Sequence, residues 1–251
     1  MKTVLFTAST GGVGVTTVLG ATAAALARRD KRTLILELGN APALDLYFGT
    51  ESVLFDVTDL AKGALAEEVA LSPLADLPLY FIRGAFPLAG AKLKWTPQSL
   101  SDLILRVGEE FKPDFLLLDA PATPGLCRIL APLADECIAV TAPTALSLRS
   151  QAALGTFLAA AGAKSIHQIV NGVDEGAPPP WCEVIDRVSL PLLGAFLLSP
   201  TLAEEAERGH LHVLEGNDSI AAKNVAARLL GEEVPLFSGM AGISRKRLIR
   251  I

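Results

Sequence analysis

The chain is expected to fold as one doubly wound α/β domain, a mostly parallel sheet with helices on both faces. Three observations predict this. Short, uninterrupted apolar runs alternate with helical stretches along the sequence. Hydrophobic residues make up 51% of the 251 residues, as strands buried on both faces require. A glycine-rich turn directly follows the first apolar run and opens an alanine- and leucine-rich segment, the order of strand, tight turn and helix.

The elements follow in order. Val4-Leu5-Phe6 reads as a strand, Gly11, Gly12 and Gly14 as the turn, and the segment to Arg29 as a helix. Thr33 to Leu36 and Leu79 to Ile82 read as strands, Pro97 to Phe111 as a helix and Phe115 to Leu118 as a strand. Cys137 to Thr141 is then a strand, Leu146 to Ala161 a helix, and Ile166 to Val170 and the run Leu192 to Phe196 are strands. Such alternation calls for right-handed crossovers and a covered parallel sheet. Gly176-Ala177-Pro178-Pro179-Pro180 is a loop, because consecutive prolines continue neither a helix nor a ladder. No second domain or repeat is visible, so residues 1–236 form the α/β domain and 237–251 a basic, amphipathic tail.

Composition excludes several classes. Even the run Leu190 to Leu198 is too short to span a bilayer, and strand-like sequence starts just after Lys2, so a cytoplasmic, untargeted protein is expected. Cys127, Cys137 and Cys182 form no Cys-x-x-Cys pair and read as buried or incidental thiols. The net charge of −5 conceals an asymmetry: Arg245, Lys246, Arg247 and Arg250 lie in the last seven residues, leaving −9 on the rest. An acidic body argues against broad nucleic-acid binding. His167, His210 and His212 have no ligand spacing around them and are expected to be exposed or satisfied by hydrogen bonds. No Gly-x-Ser-x-Gly elbow is present.

The turn itself, Thr10-Gly11-Gly12-Val13-Gly14-Val15-Thr16-Thr17, stands where a phosphate-binding loop belongs. Such a loop aims backbone N–H groups and the positive end of a helix at an anion. The alternative is a tight turn that only lets the helix pack on the strand. The octet resembles the modified Walker A motif of the MinD/ParA family, Lys-Gly-Gly-Val-Gly-Lys-Thr-Thr, and six of the eight positions match. Both differences are lysines: Thr10 stands for the one that reaches across a nucleotide-sandwich dimer, and Val15 for the one that bridges the terminal phosphates.

The resemblance runs from Lys2 to Pro235 and implies a P-loop NTPase-like fold with ATP or ADP and magnesium as cofactors. On it, Gly11, Gly12, Gly14, Thr16 and Thr17 cradle the phosphates, Thr16 and Asp119 hold the magnesium, and Asn171 contacts the adenine. Asp119-Ala120-Pro121-Ala122 is similar to switch II, the stretch from Leu133 through Arg149 to the strand and helix that follow, and Asn224 to Glu233 to the last helix. Two further positions depart from the pattern. Glu37 replaces the aspartate ending the second strand, and Gly39 falls where the water-positioning switch I aspartate is expected. The apolar run Ala195 to Ser199 implies a closed or altered base pocket.

Phosphoryl transfer depends on positioning and charge stabilisation. Losing one charge-assisted contact weakens binding by about 1.5–3 kcal/mol, and losing a cation at the transition state slows transfer by about 10³-fold or more. The resemblance therefore implies a non-catalytic, MinD-like scaffold or adaptor that positions a machine at a division site, pole or pilus, similar in kind to TadZ/CpaE-type proteins. Its partners would be a second copy or another protein. The alternatives are an active ATPase in which Arg149 or a partner's cation replaces the lysines, and a monomeric phosphate-binding module. In the tail, Met240, Ile243, Leu248 and Ile251 fall within one helical arc that Arg247 interrupts. MinD resembles this in ending with a short membrane-targeting helix, which implies weak, reversible contact with an anionic membrane.

Overall fold

A computed structural model describes residues 1–39, 41–50, 54–85, 95–174 and 181–241, without the side chains of Trp181 and Cys182. The expected loop at 176–180 and the tail beyond 241 lie outside the described residues. Seven strands form the sheet: β1 (Lys2–Thr7), β2 (Thr33–Glu37), β3 (Leu79–Ile82), β4 (Phe115–Asp119), β5 (Glu136–Thr141), β6 (Ile166–Val173) and β7 (Leu192–Leu197). Their order is β3-β2-β4-β1-β5-β6-β7 and every pairing is parallel.

The helices among the described residues are α1 (Val15–Ala27), α2 (Leu44–Tyr47), α3 (Val57–Ala61), α4 (Ala66–Val69), α5 (Pro97–Glu110), α6 (Pro124–Leu130), α7 (Ala145–Ala160), α8 (Trp181–Asp186), α9 (Pro200–Glu207) and α10 (Gly216–Leu229). None is long and apolar enough to cross a membrane. Strand side chains alternate between the two faces. Val4, Phe6, Ile35 and Leu117 join a core with α1 and α10, whereas Leu5, Leu34, Leu36, Leu116 and Leu118 join one with α5 and α6. In α5 the buried positions Leu100, Leu103, Ile104 and Val107 keep helical spacing, Thr96 caps Ser99 N, and Pro97 occupies the first turn.

Several elements differ from expectation. β2 runs on to Glu37, because Glu37 still pairs in register with Asp119 of β4. The last helix begins at Gly216 and ends at Leu229, earlier than the stretch Asn224 to Glu233. The short helices α2, α3 and α4 have only four or five residues each, too few to show a period.

After α10 the chain turns back along it. The Arg228 guanidinium donates to Leu193 O on β7 and to Val234 O and Pro235 O beyond the helix. Phe237 is buried, Asn224 Nδ2 donates to Ser238 O, and Ala241 exchanges two hydrogen bonds with the Asn217 side chain at the start of α10.

The thiols of Cys127 and Cys137 are free and buried. His210 faces Glu205, and His167 lies beside Glu136. His212 corrects the expectation for the histidines: it is 8% exposed, its Nδ1 has no partner, and burial pushes its pKa down. The apolar body of the ring packs beside Phe48, with centroids 6.3 Å apart, a contact that outweighs the unpaired nitrogen because the neutral ring is the form buried.

Candidate functional site

The turn after β1 meets residues from the carboxyl ends of β4 and β6, and Glu37 ends β2 beside Asp119. In doubly wound sheets ligands bind in this crevice, where the strand order reverses. Here β1 is flanked by β4 on one side and β5 on the other, so the turn after it stands at the reversal.

The turn ends in Gly14, which adopts φ 84° and ψ 33° as the N-cap of α1. A left-handed cap has no side chain to accept from the first-turn N–H groups, and no side-chain cap bond is made there. These donors are the ones an anion would take. A Cβ placed on Gly11 or Gly12 meets nothing within 4 Å, so the outer side of the loop is open. At Gly14 a Cβ would come within 2.4 Å of Asn171 Nδ2. That amide arrives from β6 and donates to Val13 O at 2.9 Å, pinning the loop from the far side of the chain. Gly14→Ala is expected to lower stability by about 1–2 kcal/mol, because an L-residue in this conformation is strained and the Asn171 bond must give way. Urea unfolding of the variant checks it.

Thr16 and Asp119 also meet: Thr16 Oγ1 donates to Asp119 Oδ2 at 2.8 Å. Burial pushes the Asp119 carboxyl up to about 6, against the pull of the Thr16 hydroxyl. The Tyr47 hydroxyl of α2 lies near Thr17 at the start of α1, and burial pushes its pKa up. A hydroxyl and one carboxylate at the opening of a phosphate cradle fit magnesium, which keeps most of its waters and takes few protein ligands. Among the described residues no group of three or more His, Cys, Asp or Glu is placed to hold a metal alone.

Sequence reasoning marked Glu37 only as a departure. In the structure its Oε1 accepts from Ala43 N and its Oε2 from Gly84 N, both at 2.8 Å, so one carboxylate ties together the segments after β2 and β3. Glu37 is 2% exposed. Burial raises its carboxyl to about 7, the Gly84 N–H opposing and the charge of Asp119 adding. Only the apolar run ending one residue earlier hinted at its depth.

The positions that would carry lysines are otherwise employed. Val15 is partly buried and packs against the α1 core. Thr10 is partly exposed at the start of the turn. Arg149 is exposed on α7, one residue before Ser150, whose Oγ lies 3.1 Å from Ser9 Oγ at the edge of the loop. In the apolar run after β6, Phe196 is fully buried whereas Leu198 is 63% exposed. The run therefore divides between core and rim.

The glycine turn between β1 and α1, set at the reversal of an all-parallel sheet, defines a protein of the P-loop NTPase fold. No family model matches the chain. It is 29% identical over 249 residues to a putative septum site-determining protein MinD of Emiliania huxleyi, covering 93% of this chain and 89% of that one. It is 25% identical to septum site-determining protein MinD of Bacillus subtilis, covering 94% and 91%. Among solved structures, MinD in the MinC:MinD cell division protein complex of Aquifex aeolicus aligns with a TM-score of 0.82 at 22% identity, covering 94% of this chain and 98% of that one. MinD of Pyrococcus horikoshii, complexed with Mg-ADP, aligns at 0.75 and 24%, covering 91% and 95%. The chain is thus similar over most of its length to MinD proteins and shares the fold of the MinD/ParA type of P-loop ATPase.

Proposed function

We propose that the chain is a MinD/ParA-type scaffold or adaptor that organises a cellular machine in space and binds a nucleotide with magnesium weakly, with little or no hydrolysis. One observation carries this reading: the glycine turn, Thr16 and Asp119 come together, while Val15, at the position of the phosphate-bridging cation, is an apolar side chain partly buried against the core. In this reading the N–H groups of the glycine loop and the α1 N-terminus hold the phosphates, and Thr16 and Asp119 hold the magnesium. That ion would supply positive charge between the phosphate oxygens. A homodimer or a partner protein would read out the nucleotide state.

Calorimetry with Mg-ATP and Mg-ADP, paired with a phosphate-release assay, tests it. The expected result is binding about 10- to 100-fold weaker than a lysine-bearing loop gives, the equivalent of one lost charge-assisted contact, with no phosphate release above the level of Asp119→Ala. Magnesium-dependent turnover that vanishes in Asp119→Ala would overturn the scaffold reading in favour of an ATPase. Arg149, exposed on α7, is then the first side chain to replace.

A further inference from the structure

A groove opens between α6 and α7, on the face of the sheet opposite α1 and beside the stem of the glycine loop. It holds about 270 Å³, room for about nine water-sized groups at roughly 30 Å³ each. Its α7 wall is Ser150, Ala153, Leu154 and Phe157, which recur at the spacing of one helical face. Two contacts bridge it. Near the glycine loop Ser9 Oγ lies 3.1 Å from Ser150 Oγ, and two turns further along α7 the Arg128 guanidinium of α6 stands 5.4 Å from the centre of the Phe157 ring.

The Ser9 end has hydrogen-bonding capacity that the fold does not use. The Thr123 hydroxyl lines the groove and makes no cap bond to α6. Gln151, whose Oε1 is 3.5 Å from Ser9 Oγ, is fully buried, and its Nε2 has no partner. A buried amide in this state calls for a partner that the chain itself does not supply.

Charge selects the kind of molecule that fits. The chain carries 27 acids, yet residues 120–134 and 142–163, which hold both helices, contain none. Their charged residues are Arg128 and Arg149 alone. Arg149 precedes Ala153 by one turn on the same stripe of α7 and is exposed. The groove is thus apolar along its length, polar at its Ser9 end and flanked by cations, in a chain whose net charge is −5.

We propose that this groove binds a small amphipathic carboxylate. Its hydrocarbon chain, of about eight carbons by volume, lies along Ala153, Leu154 and Phe157, and its carboxylate sits among the hydroxyls at the Ser9 end, beside Arg149. The site is separate from the nucleotide-binding reading above and does not rest on it.

Calorimetric titration of the full chain with sodium octanoate tests this, with acetate as the head alone and 1-octanol as the chain without its charge. Octanoate is expected to bind at one equivalent, and acetate and octanol each at least about 5-fold more weakly. Arg149→Glu is expected to weaken octanoate by about 5-fold or more, the size of an exposed ion pair, and to leave octanol unchanged. Ala153→Phe, at an exposed position of α7, fills the groove and abolishes binding of both, with thermal unfolding as the check that the fold is kept. A diazirine-bearing octanoate is expected to label residues 122–127 and 150–157, and excess octanoate to remove the label. The absence of octanoate binding, labelling confined to other residues, or unchanged affinity in Arg149→Glu would each overturn the proposal. So would a dimer in sedimentation that Ala153→Phe dissociates while octanoate does not bind, which would make the groove an interface between copies.

Discussion

Val15→Lys is expected to tighten Mg-ATP binding by about 10- to 100-fold, the equivalent of about 1.5–3 kcal/mol for a charge-assisted contact to phosphate. The backbone for it is already in place. Gly14 caps α1 in the left-handed conformation, Val13 O is held by Asn171, and Thr16 is bonded to Asp119. Only the cation is absent, and a lysine stem can follow the partly buried path of the valine while its ammonium reaches the open side of the loop. Calorimetry of the two proteins side by side checks the prediction. If both bind equally tightly, another cation already serves the loop, and Arg149 is the first side chain to replace. If neither binds, the cradle is only a turn.

The second large effect concerns pH. Glu37→Gln is expected to remove about 3 kcal/mol of the stability that the wild type loses between pH 5 and 8, because one unit of pKa shift corresponds to about 1.36 kcal/mol. The sign follows from burial. The carboxyl rises from 4.5 to about 7 on folding, so the folded state favours the proton. Its stabilising contribution is complete below the unfolded value and is lost as the pH climbs through the folded one. Glutamine cannot ionise, so its stability does not fall for this reason. It turns one of the two N–H acceptors into a donor facing Gly84 or Ala43, and the variant is therefore the weaker protein at pH 5. Asp119 titrates in both proteins, and because its charge helps to raise the Glu37 carboxyl, the wild-type loss belongs to the pair rather than to Glu37 alone. Urea titrations of both proteins at the two pH values give the answer, and parallel losses would mean that Glu37 keeps one protonation state throughout.

The architecture was legible because the strands are buried on both faces and read as continuous apolar runs, with the glycine turn marking where the first crossover begins. The meeting of Thr16 with Asp119 was legible only through resemblance, since 103 residues separate them. What escaped was whatever depends on contacts between distant loops. The spacing of Glu37 from Gly84 says nothing about a shared hydrogen bond, and the pinning of Val13 by Asn171 crosses 158 residues. The burial of His212 escaped for a related reason: a histidine beside a loop is usually wet, and only the packing of α1 against α10 and Phe48 makes it dry.

The three carbonyls gathered by Arg228 bear on the order of events during folding. One of them, Leu193 O, belongs to the edge strand β7, and the others belong to the segment that leads away from α10. Until β7 has joined the sheet, the guanidinium has nothing to hold on that side, and the outgoing chain has no fixed heading. The heading on which residues 234–241 leave α10 is thus tied to the seating of β7 in the sheet.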